Sequence, residues 1–292
     1  MFGNVFGCCF CAPWVFGNIY RTPLDRIWKK SIRLKIARWL SLHGSLHCYD
    51  NCFMSKLKNP IDKRSQVPDY PESIMLHFGD MCNIMCKMCC RDAASKVVLD
   101  SETLKKNINW GPFKEIILLG GEILFMEQAK DFYLWLTQVK HKKANIYTNG
   151  LLINDEWAEH LIKGSDWIYI SVNAASEKIY KEVCGNDFSK VVNNIKKLIF
   201  LKNKLGLKVK IIYSFTIITN NVYEIADAIR FANDLGCDSI SFCQDTGGKQ
   251  LILENSELKE KLKGEILQLI NNKEIKITIL REQLLTLGLV DN

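Results

Sequence analysis

From about residue 73 onward, hydrophobic and polar positions fall into two alternating rhythms. Short apolar runs recur at Ile74–Phe78, Ile116–Leu119, Asn145–Thr148, Trp167–Val172, Val209–Ile217 and Ser239–Cys243. Each is too short for a typical helix and too continuously apolar for a half-solvated strand, so each predicts a buried strand. Between them the apolar residues return at helical spacing, predicting helices over Met126–His141, Asp155–Lys163, Phe188–Lys204 and Val222–Leu235. Gly206 and Gly236 follow two of these, where a left-handed stop is expected. Strands alternating with amphipathic helices predict a parallel sheet covered by helices. Six such units favour an open, partial (β/α)6 TIM-like barrel over a complete eight-stranded one, with a doubly wound sheet as the alternative. A helix at Ser256–Ile270 and an apolar run at Ile275–Leu280 are expected to complete the sheet edge.

The first 62 residues follow another pattern. A basic helix is predicted from about Leu24 to Leu42, with Trp28, Ile32, Ile36, Trp39 and Leu40 as its apolar stripe. Such a stripe suits packing on the neighbouring domain better than lying on a membrane surface. The stretch Asn59–Pro71 holds three prolines and reads as linker. The expected division is therefore a Cys-rich module over 1–62, a linker over 63–72 and the barrel over 73–292.

Composition narrows the class. The chain has 292 residues, 48% hydrophobic and 24% charged, which fits one large α/β domain with a small appendage. A net charge of +7 is mild at this length, and without a recognition motif it does not point to nucleic acid. No run of about 18 apolar residues exists, so no membrane span is expected. Nine of the twelve cysteines lie in the first third. The apolar start lacks a basic leader region, so reduced, cytoplasmic, metal-binding cysteine is the better reading than a disulfide framework.

The chemistry is concentrated at Cys82, Cys86 and Cys89, in Gly79-Asp-Met-Cys-Asn-Ile-Met-Cys-Lys-Met-Cys-Cys90. Steps of four and three residues keep side chains on one side of a curled segment. Thiolates select zinc or iron–sulfur clusters over hard cations. A closed zinc site or a fully ligated cubane takes four protein ligands, so three suggest a centre with one open position. Cys90 adjoins Cys89 and is expected to point elsewhere. In a parallel barrel, loops leaving the C-terminal strand ends build the active site, and this loop follows the first strand directly.

These features together resemble the radical S-adenosylmethionine (radical SAM) superfamily. The Cys82-x3-Cys86-x2-Cys89 spacing matches its defining motif. Gly120-Gly121-Glu122 after the second strand is similar to its Gly-Gly-Glu segment, while Thr148-Asn149-Gly150 and Ile170-Ser171-Val172-Asn173 end the third and fourth strands. The resemblance covers roughly residues 70–245. It implies a [4Fe–4S] cluster held by Cys82, Cys86 and Cys89, with SAM chelating the fourth iron. It also implies reductive cleavage to methionine and a 5′-deoxyadenosyl radical that takes a hydrogen atom from the substrate. An electron donor such as flavodoxin or ferredoxin follows from that chemistry. Gly120 and Gly121 would let backbone approach the methionine end of SAM, and Glu122 gains a role only through the match. Asn149, Ser171 and Asn173 are candidates for ribose and carboxylate contacts. The residue before the third cysteine, usually aromatic in the family, is Met88, which can still line the adenine pocket. The acidic residue many relatives carry on the fourth strand is here Asn173.

The N-terminal segment resembles the SPASM-type auxiliary-cluster module, through Gly3, Cys8-Cys9, Pro13-Trp14, Gly17-Asn18-Ile19, Ile27-Trp28, Gly44, Cys48 and Cys52. The family's first cysteine would precede Met1, so either the chain begins late and one ligand is lost, or Cys11 substitutes. Four of Cys8, Cys9, Cys11, Cys48 and Cys52 would hold an auxiliary [4Fe–4S] cluster. The alternatives are a structural zinc on Cys8, Cys11, Cys48 and Cys52, or an empty site. The module tilts the expected substrate toward a peptide or protein, with a sugar or other small metabolite second. A non-catalytic metal-binding protein on a degenerate barrel is the rival outside enzymology. Cys184, Cys237 and Cys243 read as buried small apolar residues, and His77 as a satisfied core or rim histidine.

Overall fold

A computed structural model describes residues 3–7, 14–42, 68–272 and 274–291. Two compact units emerge: residues 1–74 with 98–116, and residues 75–97 with 117–292. Residues 98–116 thus group with the N-terminal segment, a division that differs from a simple cut at the linker.

In the first unit, strands β1 (Asn4–Val5) and β2 (Gly17–Asn18) pair antiparallel, Asn4 opposite Asn18. Helices α1 (Leu24–Lys30) and α2 (Ile32–Leu42) follow. Ser31 interrupts the single helix that the sequence predicted. Its backbone is extended (ψ 116°), its hydroxyl donates to the Phe16 carbonyl at 2.7 Å and accepts from the Leu34 amide at 3.3 Å. A serine can end one helix and cap the next because its side chain competes with the backbone ladder. The break changes which face is buried. Phe16, Ile27, Leu34 and Ala37 form the small core, with Val5, Trp14 and Trp28 against it. Ile32 is 73% exposed and Trp39 58%, and Ile36 is exposed too, so the predicted apolar stripe is not the buried one. Trp28 instead donates its indole N–H to the Pro68 carbonyl at 2.8 Å, with Arg38 stacked 4.1 Å from its ring. Helix α3 (Ser101–Asn107) belongs to this unit. The Asp100 amide donates to the Tyr20 hydroxyl at 2.9 Å, and the Asn107 amide group donates to the Ile19 carbonyl at 2.8 Å.

The sheet runs through β3 (Ser73–His77), β4 (Glu115–Leu119), β5 (Asn145–Thr148), β6 (Trp167–Ser171), β7 (Lys210–Ile217), β8 (Ser239–Gln244) and β9 (Thr278–Leu280), neighbours standing in chain order. From β4 to β9 every neighbouring pair is parallel. A doubly wound sheet reverses its strand order at a switch point. Unbroken chain order is that of a partial barrel, here six strands as expected plus β9 at the edge.

The connecting helices are α4 (Glu127–Leu134), α5 (Asp155–Gly164), α6 (Glu177–Cys184), α7 (Phe188–Leu205), α8 (Ile225–Leu235), α9 (Thr246–Glu254), α10 (Ser256–Asn271) and α11 (Glu282–Leu287). The chain beyond α4 widens into a π turn over Trp135–Val139, where the sequence predicted a helix continuing to His141. Gly206 (φ 61°) and Gly236 (φ 82°) close α7 and α8 in the left-handed region, as expected. Ile168, Ile170, Ile211, Tyr213, Phe215, Ile240 and Phe242 are all buried, which makes one face of β6–β8 the core face. Side chains alternate along a strand, so Tyr169, Ser171, Ser214, Thr216, Ser241 and Cys243 occupy the other. No helix among the described residues is long and apolar enough to cross a membrane.

Candidate active site

The loop after β3 carries the three cysteines. The Phe78 amide donates to the Leu119 carbonyl at 2.9 Å, continuing the ladder one residue past β3. The chain then runs along the end of β4, where the Gly121 amide donates to the Gly79 carbonyl at 2.7 Å and the Glu122 amide to the Met81 carbonyl at 2.9 Å. A Cβ on Gly121 would sit 2.1 Å from the Met81 oxygen and 2.3 Å from the Asp80 oxygen. These atoms are backbone and cannot swing aside. The structure thus gives the Gly-Gly pair a role the sequence did not suggest: it lets β4's end lie against the start of the cysteine loop.

Glu122 is fully buried. One carboxylate oxygen accepts from the Leu124 amide (3.0 Å) and the Thr148 hydroxyl (2.7 Å), the other from the Asn149 amide (2.7 Å). Burial pushes its pKa up while these three donors pull it down. Both oxygens are engaged by the chain, so Glu122 acts as a strut between the ends of β4 and β5. Asn149 carries the tie onward: its side-chain N–H group donates to Asn83 Oδ1 at 2.7 Å and lies 3.8 Å from Cys82 Sγ, while its oxygen accepts from the Leu151 amide. The Arg91 guanidinium donates to the Gly120 carbonyl. Asn83 and Arg91 were not singled out from sequence, although both lie within two residues of a triad cysteine.

Cys82 and Cys86 are half-buried, Cys89 and Cys90 exposed, and Met88 half-buried between them. The Cys82 thiol is pushed up by burial, with Glu122, Cys86 and Cys89 adding to the effect against a hydrogen bond from the Ile84 amide. The Cys86 thiol is pushed up first by its interaction with the Cys184 thiol, then by burial. Among the described residues no three Cys, His, Asp or Glu side chains converge on one point. The donor chemistry fits an iron–sulfur centre nonetheless: three soft thiols share one short loop, with neutral amides beside them.

Asn173 sits at the end of β6 with φ 61°, a conformation asparagine tolerates better than most residues. Its side-chain oxygen accepts from the Thr216 amide at 2.8 Å, and its carbonyl accepts from the Asn221 side chain at 2.8 Å. Ser171 lies opposite Ser214 in register. His77 is a rim histidine paired with Asp80 at 2.8 Å. Cys184 and Cys237 are buried as expected, but Cys243 is exposed. The reason is its register opposite Thr216, on the face away from the helices. Cys8, Cys9, Cys11, Cys48 and Cys52 lie outside the described residues.

With this geometry in place, comparison with known proteins is direct. The profile of the Radical SAM superfamily matches residues 76–232, more than half of the chain, and that of an iron–sulfur cluster-binding domain, SPASM, matches residues 1–53. The chain belongs to the radical SAM superfamily of enzymes, whose cofactors are a [4Fe–4S] cluster and SAM. A probable GTP 3′,8-cyclase of Saccharolobus islandicus is 26% identical over 199 residues, 65% of this chain and 63% of the relative. The chain therefore spans less than two thirds of that relative's length. Among solved structures, Streptococcus suis SuiB bound to S-adenosylmethionine aligns with a TM-score of 0.52 at 18% identity, over 72% of this chain and 50% of that one. SuiB bound to its precursor peptide SuiA aligns with a TM-score of 0.53 at 14% identity, over 90% and 65%. These likenesses are of fold.

Proposed function

We propose that the protein cleaves SAM reductively at a cluster held by Cys82, Cys86 and Cys89, and directs the resulting radical at a peptide or protein. When bound, the cluster supplies the electron that breaks the sulfonium–carbon bond. The chain's own part is to hold the cysteine loop by the Gly121 and Glu122 amides, and to offer Asn149, Ser171 and Asn173 at the rim. Met88, half-buried in the loop, supplies an apolar surface for the adenine. The auxiliary module, through four of Cys8, Cys9, Cys11, Cys48 and Cys52, would hold a second [4Fe–4S] cluster. A flavodoxin- or ferredoxin-like protein would supply the electrons.

The observation that carries the substrate reading is a row of neutral side chains on one face of β6, β7 and β8, while Asp245, which follows β8, is engaged as the cap of α9 by the Gly248 amide at 2.6 Å. Ser171, Asn173, Ser214, Thr216, Ser241 and Cys243 stand there, all neutral. The cations flanking the third cysteine are engaged, Lys87 with Glu182 at 2.9 Å and Arg91 with the Gly120 carbonyl. A nucleoside triphosphate is recognised by Arg and Lys clamps, whereas a peptide backbone is recognised by small neutral donors and acceptors. The name of the curated relatives favours the second reading, a small metabolite such as a nucleotide.

The test is anaerobic reconstitution with iron and sulfide, then reduction in the presence of SAM with either a peptide library or nucleoside triphosphates. Peptide-dependent formation of 5′-deoxyadenosine supports the reading. Stimulation by triphosphate alone would replace it with the metabolite reading, and unchanged SAM in a fully loaded sample would sink both.

A further inference from the structure

The first unit holds a cleft of about 490 Å³ that the proposed chemistry does not use. It is lined by β2, the turn after it and the junction of α1 with α2. The chain ties these walls together. The Asn18 side chain donates to Asn4 Oδ1 at 2.9 Å and accepts from the Tyr20 amide at 3.0 Å. The Ser31 hydroxyl fixes the helix junction to the Phe16 carbonyl at 2.7 Å.

Three cations line the cleft, Arg21, Lys30 and Arg33, and none of its lining residues is acidic. All three are exposed. The Arg33 guanidinium donates to the Val15 carbonyl at 3.3 Å, which leaves its charge unmatched. Ile32 and Arg33 also line the cleft and begin α2, so their amides precede any acceptor of their own helix. No acidic residue occupies the first turn of α2, so its positive end adds to the side-chain charges. Residues 14–42 carry seven lysines and arginines against one aspartate, nearly the whole of the chain's net +7. Like charges gathered round one cleft raise each other's energy, and an anion among them relieves it.

The cleft has the size of a site for an organic ligand, larger than a single carboxylate or phosphate fills. Its cations stand on three separate elements, and Ile32, 73% exposed, supplies an apolar wall among them. This surface suits a chain with several carboxylates and apolar residues between them better than a compact anion, and the guanidinium fork matches a carboxylate. We propose that the cleft anchors an acidic segment of the substrate, its carboxylates held by Arg21, Lys30 and Arg33. The proposal rests on the reading of the substrate as a peptide or protein. The cleft and the cysteine loop belong to different compact units, so the anchored segment serves recognition and is not the site of hydrogen abstraction.

The test measures binding to the full, anaerobically reconstituted chain, without turnover. The probe is a fluorescein-labelled peptide of alternating glutamate and leucine, followed by anisotropy beside the same peptide with glutamine for glutamate. Arg21→Ala, Lys30→Ala and Arg33→Ala should each weaken binding roughly three- to tenfold, and the glutamine peptide should bind at least about tenfold more weakly. Arg26→Ala removes an exposed cation of α1 outside the cleft and should stay within about twofold of wild type. The cleft side chains are exposed, so the variants should melt with wild type. Equal losses in Arg26→Ala and the cleft variants, or equal binding of the glutamine peptide, overturn the proposal. Inorganic phosphate that competes as tightly as the peptide overturns it in favour of a phosphate site. Binding confined to phosphatidylglycerol vesicles, and lost in the same variants, overturns it in favour of a lipid surface. Failure of binding leaves peptide-dependent SAM cleavage untouched, whereas stimulation of cleavage by triphosphate alone removes the substrate reading and the anchor role with it.

Discussion

At the ends of β4 and β5 the chain uses its own polar atoms to fasten itself, whereas along one face of β6 to β8 a strip of serine hydroxyls is left unlinked. On the first side Glu122 gathers three donors, Asn149 reaches Asn83, and Arg91 holds the Gly120 carbonyl. On the second, the hydroxyls of Ser171, Ser214 and Ser241 make no side-chain hydrogen bond among the described residues, whereas Asn173, Gln244 and Asp245 do. The difference suits two tasks. A cofactor that is the same in every turnover needs a rim of fixed geometry. A substrate is read by groups that keep their donors and acceptors available.

The largest effect is expected at Gly121. A Cβ there meets the Met81 and Asp80 oxygens at 2.1 and 2.3 Å, so Gly121→Ala should destabilise the protein by about 3 kcal/mol or more. Iron loading should fall with it. Urea unfolding and iron analysis check both, and a wild-type result would mean that the close approach is dispensable. Next comes Glu122→Ala, which leaves three donors unpaired in the interior and should cost roughly 2–4 kcal/mol in the same assay.

The same carboxyl gives a pH signature. Burial raises its folded pKa above the ordinary 4.5. A raised acid contributes stability that is present below the unfolded pKa and is lost as pH rises through the folded one. Wild type should therefore lose stability relative to Glu122→Gln as pH climbs from about 4.5. A difference that grows in the opposite direction would show that the three hydrogen bonds outweigh burial.

Smaller effects are expected on the unlinked side. Asn173→Ala keeps a left-handed backbone without the side-chain acceptor for Thr216, and should cost about 1–2 kcal/mol, whereas Asn173→Gly relieves the strain and should cost less. Smallest of all, Ser214→Ala and Ser241→Ala should stay within about 0.5 kcal/mol of wild type. Their effect should appear as a raised KM for substrate. If either unfolds the protein, the neutral strip is structural and the contrast between the two sides fails.

The six strands β3 to β8 were legible in the sequence to within about a residue, because buried parallel strands are near-continuous apolar runs and glycines stop the helices that follow them. By contrast, β9 starts three residues later than its apolar run, and the two-residue β1 and β2 gave no pattern. The order of the cysteine loop, Gly120-Gly121-Glu122 and Thr148-Asn149-Gly150 was legible for the same reason: each follows a recognisable strand. The seven- and eight-residue helices α3 and α6 were not, since two turns give too little periodicity. Nor was the phase of α2, which a single serine resets. The ties of Glu122 to Thr148 and Asn149, and of Asn149 to Asn83, join residues tens of positions apart. No local pattern announces them.

We propose that the rim of β3 to β5 holds a cluster that cleaves SAM. This is tested most directly by reducing the anaerobically reconstituted protein with SAM and quantifying 5′-deoxyadenosine, beside Cys86→Ala and Cys90→Ala. Product is expected from wild type and from Cys90→Ala, and none from Cys86→Ala. Product from Cys86→Ala, or none from fully loaded wild type, would contradict it.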